Sequence, residues 1–125
     1  MNFIIGGAYQ GKLECARKKY NVTEAEIFTC TEENGIAFGA RCIDRLEEFT
    51  LWCVRNGTEA ADIFRENRDK WEDSVLICMD IFCGVVPMGA ELRAWRDMTG
   101  RLCAYLSAEA ETVTRMFCGL PQKLK

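Results

Sequence analysis

The stretch that most limits what this chain can fold into is "NFIIGGAYQGKLECARKKY", residues 2–20. A short apolar run passes into three glycines and a lysine within seven positions, and then into residues that continue as helix until "YNVTEA" breaks the pattern. Strand, glycine loop and helix in that order satisfy G-x-x-x-x-G-K over Gly6, Gly11 and Lys12. Glycines let the backbone curl so that successive N–H groups and the helix start face phosphate oxygens, while the lysine reaches the β- and γ-phosphates. The nucleotide-binding candidates are therefore Gly6, Gly7, Ala8, Tyr9, Gln10, Gly11, Lys12 and Leu13. The pattern asks for Ser or Thr after the lysine, whose hydroxyl ligates Mg²⁺, and Leu13 has no such oxygen. A plain glycine turn with a solvent-exposed lysine is the alternative, and the loop alone does not choose between them.

The rest of the chain supplies the context. "AEIFTCT" (25–31) suits a second short strand, and "EENGIAFG" a polar connection. From Cys42 to Arg55, Ile43, Leu46, Phe49, Cys53 and Val54 recur at helical spacing, ending at Asn56-Gly57. Thr58 is the expected N-cap of a further helix, "EAADIFRENRDKW". "SVLICMDI" (74–81) has the composition of a buried central strand and carries Asp80 near its end. A loop marked by Gly84, Pro87 and Gly89 leads to a helix over 90–108, with Leu92, Trp95, Thr99, Leu102 and Leu106 on one stripe. Its opposite face carries Arg93, Arg96, Asp97, Gly100 and Arg101. "TVTRMFCG" (112–119) reads as the last strand and "LPQKLK" as a tail. Strands alternating with helices imply a single α/β domain over 1–125, with a mainly parallel sheet and helices on both faces. Ligands in such sheets bind beyond the strands' carboxyl ends, here after Ile5, Cys30 and Asp80.

Composition narrows the function. A net charge of −3 and a pI near 5.1 argue against a broad grip on nucleic acid or on an anionic membrane surface. No run approaches a membrane span and the first residues lack a signal-peptide pattern, so a cytoplasmic location is expected. The eight cysteines are then expected as buried thiols rather than disulfides. They never occur as C-x-x-C, and Cys78 and Cys83 have no partner pair to complete a metal site, so neither zinc nor haem is expected. Trp52, Trp71 and Trp95 are expected in the core or an interface rather than as base-stacking platforms.

In the second half, "LICMDIFCGVVP", "ELRAWRDMTGRLCAYL" and "AETVTRMFCGLPQKLK" follow one another almost without gaps. They resemble the closing portion of the adenosylcobinamide kinase / adenosylcobinamide-phosphate guanylyltransferase family. That family shows a strand ending in Asn-Glu-Val-Gly, a Gly-Ile-Val-Pro turn, a helix with Arg-x-Phe-Arg-Asp-x-x-Gly-Arg, and a last strand running into Gly-Leu-Pro. Arg93, Trp95, Arg96, Asp97, Gly100 and Arg101 stand in the matching helix positions. The family's opening loop also begins Gly-Gly-Ala and ends Gly-Lys, as residues 6–8 and 11–12 do. The likeness covers 2–18 and 75–125. "FTLWCVRN" (49–56) also looks like the family's Leu-Thr-Leu-Trp-Val-Ser-Asn, in a segment whose spacing is helical, and 32–74 cannot be registered further.

The resemblance implies a P-loop fold reduced in size and a place in cobalamin biosynthesis. The family phosphorylates adenosylcobinamide with a nucleoside triphosphate, then transfers GMP from GTP through a guanylylated histidine. This chain has no histidine, so a covalent GMP intermediate of that type has no nucleophile here. The expected partners are thus ATP or GTP with Mg²⁺, and adenosylcobinamide. Lys12 and Asp80 are the expected catalytic residues, with Asp80 holding Mg²⁺ where the family has Glu. Met79 replaces the family's Asn. Arg93, Arg96 and Arg101 are candidates for phosphate or substrate contacts, with a solvated ladder of Arg93–Asp97–Arg101 pairs as the alternative. Gly100 in that face suggests close approach of a backbone or ligand. The family tends to form homo-oligomers, a state the shortened middle leaves open. The two functions in view are a residual kinase and an inactive subunit that binds a nucleotide or a protein.

Overall fold

The computed structural model describes residues 1–82 and 89–125. The expected loop glycine Gly84, with Pro87 and Cys83, lies outside the described residues. Six strands form one sheet: β1 (Asn2–Gly6), β2 (Ile27–Thr29), β3 (Cys42–Asp44), β4 (Val75–Met79), β5 (Thr112–Phe117) and β6 (Leu120–Lys123). Their order is β2-β3-β4-β1-β5-β6, parallel throughout except for β6, which returns antiparallel along β5. The helices are α1 (Lys12–Tyr20), α2 (Leu46–Asn56), α3 (Ala60–Glu66), α4 (Arg68–Trp71) and α5 (Ala90–Glu109). This is the α/β architecture that the alternating pattern implies.

Strand side chains alternate between two cores. Ile4, Val75, Ile77 and Met116 point to the face covered by α1 through Ala16. Phe3, Leu76, Cys78 and Val113 point to the other face, where Phe49 of α2, Phe64 of α3, Trp71 of α4 and Leu102 and Leu106 of α5 meet them. Burying both faces explains why β4 reads as an unbroken apolar run. Buried Thr50 of α2 and Thr99 of α5 share a 2.6 Å hydroxyl contact with the Glu47 and Trp95 carbonyls in reach; one hydroxyl donates to the other, which donates to its helix carbonyl, so neither polar atom is left without a partner.

Several expectations change. Cys42–Asp44 is a strand and the helix starts only at Leu46, with Arg45 between them at φ +61. The residue at the head of α3 is Glu59, not Thr58, whose N–H goes back to the Cys53 carbonyl. The helix expected over 59–71 breaks at Asn67, which adopts a non-helical ψ of 23 and caps Ile63 with its side chain. Leu92 is 45% exposed and leaves the apolar stripe. The "tail" is strand β6, fully exposed and recognisable only by its pairing with β5.

Trp71 is buried with its Nε1 donating to the Phe64 carbonyl at 2.7 Å, and Trp95 donates likewise to the Glu47 carbonyl. Trp52 packs beside Gly35. These are structural roles, as expected. The seven described cysteines are free thiols, and five of them are buried.

Candidate phosphate-binding site

The site grows from the end of β1. Gly6 pairs with Met116 of β5, and a Cβ added there would lie 2.7 Å from the Met116 carbonyl oxygen, so only glycine lets the two strands close up. The Gly6 carbonyl accepts the Asp80 N–H at 2.8 Å, which fastens the end of β4 to the start of the loop. Tyr9 (φ +59) and Gly11 (φ +85) are left-handed, and the chain turns through them into α1, whose first bond runs from the Cys15 N–H to the Gly11 carbonyl. A bulky residue at positive φ is an outlier, and such strain concentrates at functional loops. Gln10 fixes the far side by accepting the Cys118 N–H from the β5–β6 turn. Lys12 folds back so that its Nζ donates to the Gly7 carbonyl at 2.6 Å.

Ala8 to Leu13 line a cavity of about 430 Å³, within the size range of small-molecule sites. Its other wall consists of Asp44, Arg45, Glu47, Glu48 and Met79, at the ends of β3 and β4 and the start of α2. The cavity thus lies at the carboxyl ends of β1, β3 and β4, where parallel sheets place ligands. The expected end of β2, Cys30, faces a neighbouring cavity that shares Arg45 and Glu48.

Two acids on that wall are perturbed. Burial pushes the Asp44 carboxyl upward, against the hydrogen bond from the Arg45 N–H and the nearby charges of Arg45, Lys12 and Arg17. Glu47 is only 4% exposed, and burial raises it to about 7, opposed by the 3.1 Å hydrogen bond its Oε1 accepts from the Met79 N–H. Its second oxygen, Oε2, is buried with no hydrogen-bond partner.

The other expected residues do not line this cavity. Asp80 is not among the residues lining the cavity, and its Oδ1 accepts the Phe82 N–H at 3.0 Å, the bond expected of a carboxylate capping the next loop. Arg93, Arg96 and Arg101 do not line the cavity either. Arg96 donates to the Phe82 carbonyl at 2.9 Å, and Arg101 pairs through two hydrogen bonds with Glu59 across to α3. At Gly100, among the described residues, a Cβ would meet the Phe82 ring at an ordinary 3.6 Å.

The model of the cobinamide kinase / cobinamide phosphate guanyltransferase family matches residues 41–124. The chain belongs to that family. No curated protein matches the chain. The family match covers the segment "FTLWCVRN", and its helical spacing is borne out, since residues 46–56 are helix. The match begins at residue 41, and the opening loop precedes it. Cobinamide kinases and guanyltransferases belong to cobalamin biosynthesis and work with nucleoside triphosphates. Among the described residues no helix is long and apolar enough to cross a membrane.

The Mg²⁺ that accompanies such nucleotides can be tested against these residues. Among the described residues no three acids, cysteines or histidines gather into an all-protein site. Magnesium commonly needs only one or two carboxylates beside phosphates and water. Asp44 and Glu47 are hard oxygen donors on the cavity wall, and the unpartnered Oε2 of Glu47 is the kind of atom such a cation would satisfy. The donor set fits.

Proposed function

We propose that this family member binds a nucleoside triphosphate, ATP or GTP, in the cavity between Ala8–Leu13 and Asp44–Glu48. The observation that carries the reading is the placement of the glycine loop, Lys12 and the head of α1 around one cavity at the sheet's carboxyl edge. Backbone N–H groups turned by Tyr9 and Gly11 and the positive end of α1 supply the phosphate donors. Lys12 exchanges the Gly7 carbonyl for a phosphate oxygen when nucleotide enters, which neutralises charge on the transferable group. Bound Mg²⁺ would shield the phosphates beside Asp44 and Glu47.

Guanylyl transfer through histidine is lost, because the chain has no histidine. What remains is phosphoryl transfer to adenosylcobinamide, for which Lys12 is the electrostatic catalyst. A second reading, favoured by Leu13 at the hydroxyl position, is a subunit that binds nucleotide and transfers nothing.

Calorimetric titration of GTP and of ATP, each with and without Mg²⁺, into the protein and into Lys12→Ala tests the binding. Micromolar affinity that falls at least tenfold in the variant is the expected result. No heat from a folded sample with any nucleotide overturns it. Labelled phosphate appearing on adenosylcobinamide then separates the kinase from the inactive subunit.

A further inference from the structure

Glu47 carries an oxygen that the fold does not use. β3 is only three residues long and pairs with β4 no further than Leu76, so the end of β4 lacks a strand partner on that side. The Glu47 Oε1 takes that place by accepting the Met79 N–H. One acceptor suffices for this, and the neutral side chain of glutamine would provide it. Oε2 is nevertheless buried and unpartnered, in a side chain that lines the phosphate-loop cavity. Leaving a carboxylate oxygen dry and unpaired costs free energy unless a cation or donor meets it. Among the described residues neither Glu47 nor Asp44 is ion-paired with a lysine or arginine. The negative charges of Asp44 and Glu48 bear on Glu47, which deepens its need for a positive partner.

We propose that Glu47, with Asp44 beside it, holds the divalent cation of this site, supplying the oxygen that Leu13 cannot. The two carboxylates stand three residues apart, one at the end of β3 and one in the first turn of α2, facing the same cavity as Lys12. A hard divalent ion takes carboxylate oxygens of this kind and completes its shell with water and phosphate. As the partner of a nucleotide, the ion rests on the reading given under "Proposed function"; as a cation site on two carboxylates, it does not.

The test uses Mn²⁺ as the probe, followed by electron paramagnetic resonance on the full chain, first without nucleotide and then with a non-hydrolysable GTP analogue. One saturable Mn²⁺ site is expected in both, tighter with the analogue, and weakened at least tenfold by Glu47→Gln and by Asp44→Asn. Far-UV circular dichroism establishes that each variant is folded, and Asp44→Asn reports on the same site if Glu47→Gln does not fold. Unchanged Mn²⁺ affinity in Glu47→Gln, or loss in Asp80→Asn instead, overturns the assignment. So does the absence of any saturable Mn²⁺ site. Mn²⁺ held by Glu47 in a protein that binds no nucleotide would leave the cation site standing and remove the nucleotide reading alone.

Discussion

Gly6 joins the sheet to the loop at a point with no room for a side chain. The Met116 carbonyl oxygen that a Cβ would meet belongs to the backbone of β5, so it cannot swing aside as a side chain would. Gly6→Ala therefore has to push β1 from β5 at the very residue that starts the phosphate loop. Overpacking of this kind costs about 1–3 kcal/mol, and urea unfolding followed by tryptophan fluorescence should show a loss in that range. Because the Gly6 carbonyl also holds the Asp80 N–H, the same shift should weaken nucleotide affinity more than the stability loss alone would. A variant as stable as the unaltered protein would mean that the strands separate here without cost. Gly11 is a different case: among the described residues a Cβ there meets nothing closer than 3.7 Å, and what demands glycine is its φ of +85.

Elements differ in how plainly their residues announce them. β1, α1, β4 and α5 are legible because each has enough residues for its period to emerge: two-faced apolar runs in the strands, and a long stripe in α5. β3 is not, because Cys42 and Ile43 happen to lie at helical spacing from Leu46, and three residues cannot establish a strand period. That one misreading hides half the site. With a helix drawn from Cys42, Asp44 and Glu47 are solvated helix acids; with a strand ending at Asp44, they stand at the sheet's carboxyl edge opposite Lys12. β6 is hidden for another reason, since all four of its residues are exposed and only its pairing with β5 defines it. Across the other face, α3 is anchored by Phe64, fully buried with ring centroids 5.2 Å from Phe38, 5.8 Å from Phe49 and 5.4 Å from Trp71. The short helices α3 and α4 have little stability of their own. Phe64→Ala should therefore cost about 3–5 kcal/mol, read as a lowered denaturation midpoint. A cost below about 1 kcal/mol would mean that the aromatic cluster refills the gap, contrary to the close packing of protein interiors.

At the scale of the whole molecule, the buried acid on the cavity wall links stability to pH. Glu47 moves from an ordinary 4.5 to about 7 on folding, so between those values the folded chain binds a proton that the unfolded chain has released. Stability from this group is complete below pH 4.5 and is lost as pH rises through 7, which over the full window is on the order of 3 kcal/mol. Asp44, raised by burial as well, acts in the same sense. Glu26 acts oppositely, since hydrogen bonds from Thr23 lower it, so the total slope mixes groups of both signs. The contribution of Glu47 is isolated by comparing the protein with Glu47→Gln, each unfolded by urea at pH 5 and pH 8 in buffer with a chelator. The unaltered protein should lose more stability between the two pH values than the variant does, and the variant should be the more stable of the two at pH 8. Equal slopes would show that water reaches Glu47 and that its burial does not set its charge. Adding Mn²⁺ at pH 8 carries the comparison to the cation site: an ion that favours the ionised carboxylate should restore stability to the unaltered protein and leave Glu47→Gln where it was.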